Sequence, residues 1–164
     1  MIKTTKDNTN SVLDSDGGIY FYGICEIAEL SLIGTNLLGA KINGIFDSNV
    51  KVTNNEKFKD VLILGKDELS HIDKSAHIII TCTHFIIIER YLNSIGLYNV
   101  YDHCFLIERV IDEGILHGNN RIKAESELLI SQEKVKHAIR QFDGKIVIPS
   151  IDVIVTEKCT LRCA

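Results

Sequence analysis

Two places in this 164-residue chain bring together residue types that do chemistry. The first is the turn Tyr22-Gly23-Ile24-Cys25-Glu26-Ile27-Ala28, which lies between an apolar run and a helix-like stretch. A strand-to-helix turn of this kind suits an anion, because backbone N–H groups and the helix dipole both favour negative charge. A dinucleotide site wants three small residues here, for a tight turn, close pyrophosphate approach and tight helix packing. Gly23 and Ala28 fill the first and third places. Cys25 holds the middle one, where its Cβ would crowd a pyrophosphate. Asp47, twenty-four residues after Gly23, stands where an acid binds ribose hydroxyls. The cofactor-binding candidates are therefore Gly23, Ile24, Cys25, Glu26 and Asp47. Thr81 and Thr83, at the end of a later apolar run, join them because hydroxyls there, with the His84 imidazole, could contact phosphate or sugar. The plainer alternative makes Gly23 a scaffold turn, Thr83 a helix cap and His84 a solvent-facing residue.

The second place is Cys159 and Cys163, four residues apart behind the apolar stretch Lys145–Val155. Thiolates at this spacing can ligate iron or zinc. Two surface thiols, or half a zinc site completed elsewhere, are the alternatives. Cys25, Cys82 and Cys104 read as small buried apolar residues. The histidines show no metal spacing with one another, and no residue takes a catalytic role.

The elements that must position these residues follow from hydrophobic period. Ile19–Tyr22 is a buried strand, and Ile27, Leu30, Ile33 and Leu37 form the stripe of a helix that Gly39 ends. Strands follow at Lys41–Phe46 and Val61–Leu64, separated by the polar loop Asn49–Lys59. A short helix is expected at Asp67–Ile72. His77–Thr81 is continuously apolar, as when both faces of a parallel sheet are covered. A helix over Phe85–Ile95 carries Phe85, Ile88, Leu92 and Ile95 on one stripe, and Asn99–Tyr101 is a fifth strand. His103–Asn120 has no single pattern, and Lys123–Phe142 is helical through Val135, Ala138, Ile139 and Phe142. Strand–helix alternation implies right-handed crossovers and a doubly wound, mainly parallel α/β sheet of the Rossmann-like kind, with helices on both faces. The expected division is a polar tail over 1–16, the Rossmann-like domain over 17–102, a mainly helical linker over 103–144, and a further segment over 145–164.

Two resemblances sharpen this. Ile19–Glu26, Gly44-Ile45-Phe46-Asp47-Ser48-Asn49 and Leu64-Gly65-Lys66-Asp67-Glu68-Leu69, with Ile78–Thr81 and the helix to Gly96, resemble the small Rossmann-like domains that precede sugar acetyltransferases and FkbM-type methyltransferases. The likeness runs from about Gly18 to Asp102. It implies the fold, and in some members a bound nucleotide sugar. Val155-Thr156-Glu157-Lys158-Cys159-Thr160-Leu161-Arg162-Cys163 resembles the opening of a radical S-adenosylmethionine domain, whose C-x3-C-x2-C loop follows the first barrel strand. That likeness implies a 4Fe-4S cluster held by three thiolates, with the open iron binding S-adenosylmethionine. Cys159 and Cys163 would be the first two ligands.

Composition narrows the partners. The chain is 45% apolar with one proline, no tryptophan and a formal charge of −4, which is globular and lacks the basic stripe of a nucleic-acid binder. The N-terminus lacks a signal-peptide core, and the apolar runs are too short to span a bilayer, so no membrane contact is expected. Five cysteines without a secretory signal read as free thiols in the cytoplasm. The expected function is the nucleotide- or sugar-nucleotide-binding, substrate-positioning module of a larger radical enzyme in polysaccharide biosynthesis, inactive by itself and compatible with a homo-oligomer. A ligand-free docking or oligomerisation module is one alternative. A small NAD-dependent oxidoreductase is another, disfavoured by Cys25 and by the lack of a Tyr-x3-Lys pair. The radical-enzyme reading predicts a cysteine as the second residue after Ala164, followed by a barrel-sized α/β region. Sequencing the codons that follow checks it, and a stop codon directly after Ala164 would defeat it.

Overall fold

The computed structural model describes residues 12–13, 15–48 and 58–142, with side chains to residue 139. Cys159, Cys163 and the strand expected over Lys145–Val155 lie outside them. The described elements are β1 (Ile19–Tyr22), α1 (Glu26–Leu37), β2 (Gly44–Asp47), β3 (Ile63–Gly65), a 3-10 turn (Lys66–Ser70), β4 (His77–Ile80), α2 (Phe85–Ser94), β5 (Val100–Asp102), α3 (Cys104–Asp112) and α4 (Asn119–Phe142). The five strands form one sheet in the order β3-β2-β1-β4-β5. All four pairings are parallel, with Tyr22 beside both Phe46 and Ile80. This is the doubly wound Rossmann-like arrangement expected from the alternation of elements.

Side chains alternate between the two faces, and both faces are covered. Phe46, Leu64, Ile78, Ile80 and Val100 pack with Phe85 and Leu92 of α2 and with Val135 and Ala138 of α4. Ile19, Phe21, Ile45, Ile79 and Tyr101 point the other way, onto Ala28 of α1 and Phe105 and Leu106 of α3. Full burial of one such side chain contributes about 1.5–3 kcal/mol. α4 serves both layers, since Ala124 packs with Ile27 and Ile107 while Val135 and Ala138 lie against α2. No described helix is long and apolar enough to cross a membrane.

The elements differ from expectation in three ways. The segment 103–120, which shows no single sequence pattern, begins with α3. Cys104, Phe105, Leu106, Ile107 and Val110 are all buried there. The expected linker thus packs into the core. The short helix after β3 is a 3-10 turn. The buried face of α1 is also not the large apolar stripe, for it consists of Ile27, Ala28, Ser31, Gly34 and Thr35. Ile33 is exposed. The cause is close approach: a Cβ on Gly34 would fall onto the backbone of Leu106 in α3. Only small residues fit such a contact. The buried hydroxyls turn back into their own helix, Ser31 donating to the Ile27 carbonyl at 2.7 Å and Thr35 to that of Ser31 at 2.8 Å.

Gly34→Ala should therefore destabilise the fold, because the clash is with backbone that cannot rotate away. Overpacking costs about 1–3 kcal/mol, against a helix-propensity gain of about 1 kcal/mol. Urea unfolding should show a lower midpoint for Gly34→Ala, whereas Asn36→Ala on the exposed side of α1 should be neutral or slightly stabilising.

Candidate functional site

The chain passes from β1 outward to β2 and β3, then returns to place β4 on the other side of β1. In doubly wound sheets the crevice beyond the strand ends at such a reversal is where ligands sit. A cleft of about 290 Å³ lies there. It is lined by Tyr22, Gly23 and Ile24 after β1, Asp47 and Ser48 after β2, Cys82 and His84 after β4, and Ile88 of α2. That volume sits at the small end of ligand cavities, enough for a sugar-sized group and not for a whole dinucleotide.

Gly23 makes the turn. Its φ of +105° is a conformation L side chains rarely adopt, and a Cβ there would meet the Cys82 Cβ at 3.0 Å. Its N–H donates to the Phe46 carbonyl at 2.8 Å, extending the β1–β2 pairing. The next N–H, that of Ile24, donates to the Asp47 carboxylate at 2.8 Å. Asp47 therefore holds the turn as well as facing the cleft. A carboxylate already stands where a pyrophosphate would meet this donor, and Glu26 and Glu29 add acid to the first turn of α1. Such acids complement the helix dipole themselves.

The remaining sequence candidates divide. Cys25 precedes α1, and its thiol donates to the Thr81 carbonyl at 2.9 Å. Burial pushes that thiol up, partly opposed by the N–H groups of Ala28 and Ile27. Burial likewise raises the Cys82 thiol, so both are protonated and weakly nucleophilic at neutral pH. Thr81 is buried beneath the cleft, donating its hydroxyl to the Gly23 carbonyl at 2.6 Å with the Tyr22 carbonyl at 3.1 Å. It braces the turn from below. Glu26 is exposed and pairs with Lys123 of α4 at 2.6 Å. Thr83 lies outside the cleft lining, in a neighbouring trough, and the residue preceding α2 is His84, whose side chain makes no cap bond. Burial raises the Tyr22 phenol, reinforced by Tyr91, Cys82 and Asp47. No group of three or more His, Cys, Asp or Glu among the described residues could hold a metal ion.

Sequence reasoning missed the part played by His103, next to the end of β5. The ring is fully buried and stacks on Phe85 at 5.5 Å between centroids. Its Nδ1–H donates to the Ile80 carbonyl at 2.7 Å, which leaves Nε2 to accept from the Ser131 hydroxyl at 2.9 Å. One side chain thus ties the end of β4 to α2 and α4. Burial depresses its pKa to about 4, in spite of the Ile80 hydrogen bond. The neighbouring Asp102 accepts from the Cys104 N–H at 2.8 Å, and burial pushes its carboxyl up.

The His103 depression makes stability pH-dependent. Below its ordinary value of 6.5 the unfolded chain takes up a proton that the folded chain refuses until about pH 4. His103 therefore leaves stability intact above pH 6.5 and withdraws about 3 kcal/mol as pH falls to 4. Asp102, with its raised carboxyl, works in the opposite direction. Unfolding free energies measured from pH 7 to 4 for wild type and His103→Gln should show a shallower acid loss in the variant, at lower absolute stability. Equal slopes would mean that the imidazole titrates normally.

No family model, curated protein or solved structure matches this chain.

Proposed function

We propose that this chain is a nucleotide- or sugar-nucleotide-binding module whose cleft at the β1/β4 reversal holds the ligand's sugar. One observation carries the reading. The loops after three strands converge on a sugar-sized cleft with Asp47 at its wall, and Asp47 is positioned by the Ile24 N–H. One carboxylate has about four lone-pair sites, so it can serve the turn and still accept from vicinal hydroxyls. Tyr22 and Ser48 supply further hydroxyls, and Ile88 an apolar contact.

On this reading the module positions a sugar-linked substrate within a larger enzyme. Cys159 and Cys163 would begin the ligand set of a 4Fe-4S cluster that binds S-adenosylmethionine. A ligand-free docking module is the rival. Its support is the exposure of Ile122 and Leu129 on α4, 63% and 64%.

Calorimetry with UDP-glucose, CDP-glucose and NAD tests the reading. A sugar nucleotide should bind the full chain more tightly than NAD. Asp47→Ala should weaken that binding by about 1–3 kcal/mol, the usual cost of leaving polar groups unpaired. Asp47→Asn keeps an acceptor for Ile24 and should lose less. If none of the three binds at millimolar concentration, the docking module is the better reading.

A further inference from the structure

The phosphates of such a ligand would meet acid at the glycine turn, where part of the donor set is already taken. The Ile24 N–H is on Asp47, the Ala28 N–H on the Cys25 carbonyl, and Glu26 and Glu29 face the same helix start. With Glu26 paired to Lys123, a diphosphate there would still face the Asp47 and Glu29 carboxylates.

Across His84 the surroundings change sign. A trough of about 400 Å³ lies between the start of α2 and the later turns of α4, and His84 lines both it and the cleft. Phe85 and Ile87 give it an apolar wall, with Ile87 71% exposed. Its polar lining residues are Thr83, His84, Lys134 and His137, with no carboxylate among the described residues that line it. Lys134 is exposed and makes no ion pair with another described residue. Lys66, by contrast, lies over the Tyr91 ring at 4.1 Å.

We propose that this trough is the phosphate subsite of the ligand whose sugar Asp47 holds, so that the substrate class is a nucleoside diphosphate sugar bound across His84. The inference rests on the sugar-binding reading above. The sugar hydroxyls lie in the cleft, the diphosphate meets Lys134 and the Thr83 hydroxyl, and the flat face of the base covers Ile87. Lysine suits this role as a point charge for phosphate oxygens. The separation of charge also sets the ligand's direction, since acid flanks the sugar end and base the phosphate end.

The phosphate subsite can be read without the sugar. Titrating the full chain with sodium pyrophosphate, observed through backbone amides by NMR, should shift Thr83–Ile87 and Lys134–Ala138. Lys134→Gln should abolish those shifts, whereas Lys66→Gln should leave them. In calorimetry Lys134→Gln should weaken UDP-glucose or CDP-glucose binding about tenfold, the scale of one lost charge-assisted contact, and flatten its salt dependence. Shifts centred on Ile24–Ile27, or no shifts, overturn the subsite. Sugar-nucleotide binding that falls with Asp47→Ala but not with Lys134→Gln overturns it too, and leaves the Asp47 reading standing. Pyrophosphate shifts at the trough that vanish in Lys134→Gln, with no sugar nucleotide bound, support an anion site there and defeat the Asp47 reading instead.

Discussion

The carboxyl edge of this sheet depends on the backbone of a single turn. Gly23 takes a φ that excludes a side chain and lies directly over Cys82. From that position two successive N–H groups reach the end of β2, one to the Phe46 carbonyl and one to the Asp47 carboxylate. The Gly23 carbonyl receives the Thr81 hydroxyl from the end of β4. Three strands are thereby joined beyond the point where their ladder stops. The direction of α1, the aim of Asp47 and the depth of the cleft all follow from this one junction.

Much of the fold was legible because burial on both sides of a parallel sheet leaves little choice of residue. Ile78-Ile79-Ile80 is the clearest case, with alternate side chains entering opposite cores. α1 shows the limit of such reading. Hydrophobic period assumes that the largest apolar side chains face inward, but a helix pressed against a neighbouring backbone buries its smallest ones. Gly34, Ser31 and Thr35 look polar or neutral in the sequence and are the contact surface. α3 was obscured for a related reason, since four consecutive buried residues, Cys104 to Ile107, carry no helical period.

The place of the candidate cleft in the fold was legible, and the direction of its side chains was not. The spacing from Gly23 to Asp47 located both at one strand edge, which parallel pairing requires. It could not say that the carboxylate hydrogen bonds to the turn itself, because that depends on a rotamer. Thr81 and Thr83 are two residues apart, yet one braces the turn from below and the other lines the trough. His103 gave no signal of its role. Its partners, Ile80 and Ser131, lie 23 and 28 residues away, one of them a backbone carbonyl.

The contact at Gly34 also has a mechanical side. Where side chains interdigitate, two helices can slide by changing rotamers. Where the surface of one meets the bare backbone of the other, there is no rotamer to change. α1 and α3 are consequently coupled as a single stiff plate. Both helices of that plate begin at the carboxyl edge of the sheet, α1 just after the Gly23 turn and α3 just after His103. A displacement of one helix start is carried to the other, so the Gly23 turn and the buried His103 move together.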